Sequence, residues 1–291
     1  MSSDIMPMTE PRPRRQRSQS SGVADAALLF DEPGPRGRIL IAIGSVVAVI
    51  GIAALAAAVL YRLDLAGQLD YPKWRYFLGQ SVVSQLLEAA RTTLTLGGVA
   101  AVLTFPLGIA LGWLRLLDNR PIKWLIGLWI DAMRAVPMLL LVYFFLLVVP
   151  RFATISDFWK LALPIVMCTS ATTAEVFRSG VRALDRGQTE AAWALGMSPS
   201  LTMRLILAPQ ALRLMLPTLI TQMVTIIKGT TLAYVLAYPE LMYRGSTMIG
   251  QAKIDAHLSV FFQTYVIIAV LYIIVNWSLG ALARYIESRT R

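Results

Sequence analysis

Along the 291-residue chain, apolar residues come in long unbroken runs separated by shorter polar stretches. That is the pattern of membrane-crossing helices, not of one-sided surface helices. Residues 39–60 carry no charge; at about 1.5 Å per residue the run covers the roughly 30 Å of bilayer hydrocarbon. It exceeds the apolar part of a cleaved leader and is predicted as a retained helix. Further spans are predicted at about 92–113, 124–149, 161–177, 214–236 and 257–283. Six spans place both termini on one side. Residues 1–38, rich in Pro, Arg and Ser, have little to bury and are predicted as a disordered tail. Residues 61–87 read as an extracytoplasmic loop, and 178–213 as a long polar connection between spans.

The 178–213 connection has helix punctuation of its own. Glu190 to Leu195 is a strong helix-forming run, with Thr189 or Gln188 as candidate cap. Gly196 suits a left-handed stop, and Ser198-Pro199 starts a second helix. The expectation is a short helix, a sharp turn and another helix. Ala191 and Ala192 give the first one a smooth face that another protein can approach closely.

Composition narrows the class. The chain is 56% hydrophobic and 15% charged, with a mean hydropathy of +0.61. An ordinary soluble domain is about 25% charged, so a water-soluble enzyme is excluded. One cysteine, Cys168, makes no intramolecular disulfide, and with the single histidine, His257, it makes no metal site. The net charge is +10. Most Lys and Arg residues fall in the tail, the 114–123 connection, the 178–213 loop and the C-terminus. The positive-inside rule makes these segments, and both termini, cytoplasmic. The excess charge is read as facing anionic membrane lipid, not nucleic acid.

Charges inside predicted spans are expensive and mark function by default, and Arg134, Glu175 and Lys228 are the candidates. Pro137, three residues after Arg134, frees a backbone carbonyl in the preceding turn, which offers polar backbone to a water-filled path. Lys228, Thr230 and Thr231 offer donors to a carboxylate. Glu175 is suited to accept from an ammonium group, or alternatively to pair with Arg178 as a structural ion pair. Gly108 and Gly112 form one Gly-x-x-x-Gly, a feature of closely approaching helices. Tryptophans near span ends, among them Trp74, Trp113 and Trp124, fit an interfacial belt.

The order Glu190-Ala191-Ala192, Gly196, Ile206, Pro209 resembles the EAA loop of type I ABC importer permeases. Arg134-Ala-Val-Pro137, Glu175-Val-Phe-Arg178, Gly187-Gln188, Pro209-Gln210-Ala211-Leu212-Arg213 and Lys228-Gly-Thr-Thr-Leu232 resemble the branch that imports polar amino acids. The likeness runs from 88 to 287, which implies an all-α fold with a five-helix permease domain, preceded by one additional N-terminal helix at 39–60. It also implies that Glu190, Ala191, Ala192, Gly196, Ile206 and Pro209 couple to a cytoplasmic ATPase dimer. A second permease subunit, identical or related, and an extracytoplasmic amino-acid-binding protein complete the implied assembly. The chain departs from the family at Ala208, at Ala135-Val136 and at Gly229-Thr230; the last two put the substrate in doubt. No Gly-Lys pair is present for a phosphate-cradling loop, so no cofactor is expected on this chain, and ATP and magnesium belong to the partner. No catalytic constellation is visible, so the chain is read as a transport subunit and not an enzyme. Two buried cations against one anion lean toward an acidic amino acid, glutamate or aspartate. The competing reading is a secondary transporter or channel with no ATPase partner.

Overall fold

The computed structural model describes residues 34–290, so nearly all of the tail expected at 1–38 lies outside the described residues. Every regular element among the described residues is a helix. The chain divides into two compact units, one ending at Ala66 and the other starting at Gly67.

The first unit is helix α1, Pro35–Leu65. Pro35 opens it, where a missing N–H costs nothing. Its 31 residues outlast the predicted 39–60 run because Arg36, Arg38, Arg62 and Asp64 continue the helix as polar ends. The apolar middle is hydrophobic on all sides, as a helix surrounded by lipid requires.

The second unit holds α2 (Gln80–Leu114), α3 (Arg120–Ala135), α4 (Met138–Leu147), α5 (Asp157–Arg182), α6 (Arg186–Ala194), α7 (Ala208–Gly229), α8 (Leu241–Asp255) and α9 (Phe261–Thr290). A five-residue helix, Tyr71–Arg75, and a 3-10 turn, Tyr76–Leu78, precede α2. The 61–87 stretch, expected as a loop, is therefore largely helical, and α2 begins well before the expected 92.

Among the described residues, four helical runs are long and apolar enough to cross a membrane: Pro35–Leu65, Gln80–Leu114, Pro199–Leu236 and Phe261–Leu282. The span expected at 124–149 is broken instead into α3 and α4, bent by 95°. The break has a local cause. A residue before proline is pushed out of the helical region, and Val136 accordingly takes an extended ψ of 128°. Counted as one broken span, the pair raises the number to five.

Helix α5, expected as the span 161–177, is long enough but not apolar enough to count among these. Its place in the fold explains why. Fourteen of its 26 residues are buried, and it packs against α2, α3, α4 and α7. Surrounded by protein, it has no need of a lipid-compatible surface. Its hydroxyls return to its own backbone: Thr173 donates to the Thr169 carbonyl at 2.8 Å and Thr172 to Cys168 at 3.2 Å. Such internal bonds let polar residues sit in an apolar core at little cost.

The α2–α5 seam is the most extensive in the molecule. Gly108 and Gly112 of α2 face α5 directly. A Cβ at Gly108 would lie 2.5 Å from Thr173 Cβ, and one at Gly112 would lie 2.6 Å from the Ala174 carbonyl. Only glycine permits this approach, as the Gly-x-x-x-Gly spacing predicts. A buried Thr104–Thr169 hydroxyl pair at 2.8 Å ties the same seam. Clusters around Leu96, Ile165 and Phe177 then fill the space along α5.

Candidate functional site

The 178–213 connection folds as a helical hairpin. Helix α6 starts at Arg186, earlier than expected, and its cap is Asp185 and not Thr189 or Gln188. The Asp185 carboxylate accepts from the Gly187 N–H at 2.7 Å, and an ionised cap is well placed at a helix N-terminus. The stop is the expected one. Gly196 is left-handed, with φ +76. Its N–H donates to the Trp193 carbonyl at 2.9 Å, and the Met197 N–H reaches back to Ala192 at 3.1 Å. These paired bonds make a Schellman turn. Ser198 then caps the restart by accepting from the Leu201 N–H at 3.4 Å. From Pro199 the chain runs through a π-helical turn, Met203–Leu207, into α7 without interruption. Gln210 and Gln188 bond across the hairpin at 3.3 Å.

The hairpin sorts the residues of the family pattern by exposure. Glu190, Ala191, Gly196 and Pro209 are exposed, Ile206 is half-buried, and Ala192 is buried as the packing contact of α6. Outward from the same hairpin point Trp193, Leu195 and Leu201. Leu195 is 81% exposed.

The charges in the spans do not behave alike. Glu175 is taken up by two arginines: Arg178, on its own helix, and Arg115 from the end of α2 at 2.9 Å. Arg115 also reaches Asp131 of α3 at 3.2 Å. The resulting ladder ties α2, α3 and α5 together, so the structural reading of Glu175 and Arg178 fits the geometry better than a free acceptor. Arg115 was missed from sequence because it follows the α2 span directly and reads as an ordinary flanking charge. Arg134 and Lys228, by contrast, are exposed and make no salt bridge among the described residues.

Two helix interruptions meet. Helix α7 ends at Gly229, and a 3-10 turn, Thr230–Leu236, carries the chain on. A Cβ at Gly229 would lie 3.4 Å from Met138 Sδ, so this interruption sits against the Pro137 break between α3 and α4. Arg134, Pro137, Lys228 and Thr231 are thereby gathered around two broken helices. The Thr230 hydroxyl is not free: it is buried and donates to the Ile227 carbonyl at 2.7 Å. Thr231 likewise donates to Lys228 at 2.7 Å. Both hydroxyls are engaged by backbone carbonyls of the last turn of α7, so of the expected donors Lys228 is the one left unengaged among the described residues.

Glu240 was missed altogether. It caps α8 by accepting from the Tyr243 N–H at 2.8 Å, while the Tyr272 hydroxyl donates to its other oxygen at 2.8 Å. Its side chain is fully buried. Next to it, the Leu241 N–H donates to Thr93 of α2 at 3.2 Å. Burial pushes the Glu240 carboxyl above the usual carboxylate range, although the Met242 and Tyr243 amides and the Tyr272 hydroxyl pull the other way. Glu240 thus joins α8 to α9 beside the 3-10 turn.

Residues 104–291 match the family model described as the binding-protein-dependent transport system inner membrane component. The chain belongs to that family. The match takes in the broken helices, the ion-pair ladder and the hairpin of this inner membrane component. The resemblance to ABC importer permeases drawn from the Glu190–Pro209 pattern therefore holds. The chain is 34% identical over 230 residues to the glutamate transport system permease protein GluD of Corynebacterium glutamicum, covering 77% of this chain and 82% of that one. It is 32% identical over 211 residues to the probable glutamine ABC transporter permease protein GlnP of Bacillus subtilis, covering 72% and 95%. Its fold is that of a solved amino acid ABC transporter with histidines, with a TM-score of 0.64 and 24% identity over 72% of this chain and 95% of that one.

Proposed function

We propose that this inner membrane component is the permease subunit of an ATP-driven importer of polar amino acids, glutamate and aspartate foremost. The observation that carries the proposal is the hairpin. Its apolar side chains Trp193, Leu195 and Leu201 point outward beside Glu190, as a docking surface for a cytoplasmic ATPase dimer needs. The ATPase would bind the ATP and magnesium, and this chain no cofactor. A second permease subunit and an extracytoplasmic amino-acid-binding protein complete the assembly, with both termini of this chain in the cytoplasm.

The geometry supplies a route for the coupling. A pull on α6 passes through the Gly196 turn into the continuous helical run Pro199–Leu236, which leads to the interruption at Gly229. There it meets the Pro137 break, so a tilt of α7 moves the two breaks against each other. Packed cores shift between discrete arrangements and do not stretch, so a small displacement at the hairpin arrives at the breaks as a change of packing. Arg134 and Lys228, the exposed and unpaired cations there, favour a substrate with an extra carboxylate. The names of GluD and GlnP support the amino-acid class.

The test is an affinity purification of the tagged full chain in mild detergent, with co-purifying proteins identified by mass spectrometry and labelled glutamate uptake measured after reconstitution. An ATPase and a binding protein should co-purify, and uptake should require ATP. Uptake by the chain alone, without ATP, would overturn the proposal.

A further inference from the structure

Beyond the transport role, we infer that this chain carries a binding site for the phosphate headgroup of an anionic phospholipid. The site is a crevice between the first half of α3 and the ends of α2 and α5, with a volume of about 590 Å³. Arg115, Arg120, Lys123 and Arg178 line it against a single carboxylate, Asp131.

The floor is neutral and fixed. The Arg115 guanidinium crosses α3 at Gly127, where a Cβ would lie 3.6 Å from its nitrogens, and it is held there by Asp131 at 3.2 Å and Glu175 at 2.9 Å. Arg178 is likewise engaged by Glu175. The rim is different. Arg120 and Lys123 are exposed, and neither makes a salt bridge among the described residues. They sit in the first turn of α3, which contains no acidic residue, so both oppose the helix dipole. Folding alone gains nothing from that arrangement, whereas a bound anion reverses its sign.

The surroundings select a lipid over a free anion. Trp124 lines the crevice and is 69% exposed, with Leu125, Leu128 and Trp129 exposed beyond it on the same helix. A phosphate held by Arg120 and Lys123 therefore continues onto an apolar surface suited to acyl chains, with tryptophan at the level of the headgroup. In the orientation proposed above, this end of α2, α3 and α5 faces the cytoplasmic leaflet. Basic pockets between spans on that side are the setting for acidic headgroups. The inference rests on that orientation.

The test measures thermal unfolding of the purified full-length chain in detergent with added phosphatidylglycerol, phosphatidylcholine or inorganic phosphate. It compares the wild type with the R120Q/K123Q double variant and with a control, K253Q, a basic residue on α8. Phosphatidylglycerol should raise the midpoint of the wild type and of K253Q by several degrees. The double variant, unchanged without lipid, should lose at least two-thirds of that shift. Native mass spectrometry should show at least a fivefold weaker phosphatidylglycerol affinity for the double variant. Equal shifts in all three proteins, or an equal effect of phosphatidylcholine, would overturn the site. Inorganic phosphate reproducing the full shift would overturn the assignment to lipid. None of these readouts uses an ATPase or transport, so this site and the importer reading fail independently.

Discussion

Replacing Glu240 tests whether the buried polar joint between α8 and α9 holds the second unit together. In Glu240→Ala the Tyr243 N–H loses its cap, worth about 1 kcal/mol, and the Tyr272 hydroxyl is left buried without its acceptor at about 1–3 kcal/mol. Together the loss is about 3 kcal/mol, or about 6–12 °C in midpoint for a domain of this size. Glu240→Gln keeps one acceptor oxygen for the Tyr243 N–H, and its NH2 group can donate to the Tyr272 hydroxyl once that hydroxyl turns to accept; in nearly the same shape it should cost about 1 kcal/mol. The two variants also separate by pH. Because burial raises the folded carboxyl, the folded state holds its proton more tightly than the unfolded chain. That contribution is full below the ordinary carboxylate value of about 4.3 and is lost as pH rises through the higher folded value. Wild-type stability should therefore fall with rising pH on this account, and Glu240→Gln should lack that component. The assay is thermal unfolding of the detergent-purified protein across pH. A Glu240→Ala midpoint within 2 °C of wild type, or identical pH profiles for wild type and Glu240→Gln, would refute the reasoning.

Other perturbations follow from the same geometry. Gly108→Ala forces a methyl against Thr173 and the Ser170 carbonyl. It should destabilise by about 1–3 kcal/mol, while Gly98→Ala, with nothing within 4 Å of the new carbon, should be neutral or slightly stabilising; thermal unfolding of the pair checks this. Glu175→Gln leaves Arg178 without its carboxylate while Arg115 keeps Asp131. With groups about 20% exposed, a loss of about 1–2 kcal/mol is expected, measured in the same assay. Gly196→Asp places a side chain in open space but at positive φ, so insertion should survive while uptake falls; reconstituted transport and quantitative membrane fractionation report the two separately.

Much of this architecture is legible in the sequence because membrane spans announce themselves by length and composition. The Gly108–Gly112 spacing pointed to a close helix approach, and the Gly196 and Ser198-Pro199 punctuation located the hairpin turn. What escaped depends on partners distant in the chain. Glu240 looks like an acid in a loop after Pro239, and only the fold brings it to Tyr272 and sets Leu241 against Thr93. Helix α8 was overlooked because Arg244 and Lys253 interrupt its apolar positions, and its buried face is answered by Phe77, Val82 and Val260 from other elements. The α3–α4 bend was visible as Pro137, but its size was not: a proline can kink a helix modestly or end it, and the packing of both halves against α5 decides which.

The position of α5 also bears on how the protein is made. A segment leaving the ribosome is sorted into the bilayer largely by its own hydrophobicity, and α5 falls short of the apolar helices around it. The surface it would show to lipid carries Thr172, Thr173 and Glu175, residues that become acceptable once α2, α3 and α7 close over them. Its insertion therefore depends on neighbours already in the membrane, with α2 offering the glycine seam and the Thr104 hydroxyl. On this account a substitution at Gly108 acts during synthesis as well as in the finished fold, and shows itself as chains in which α5 fails to enter the bilayer.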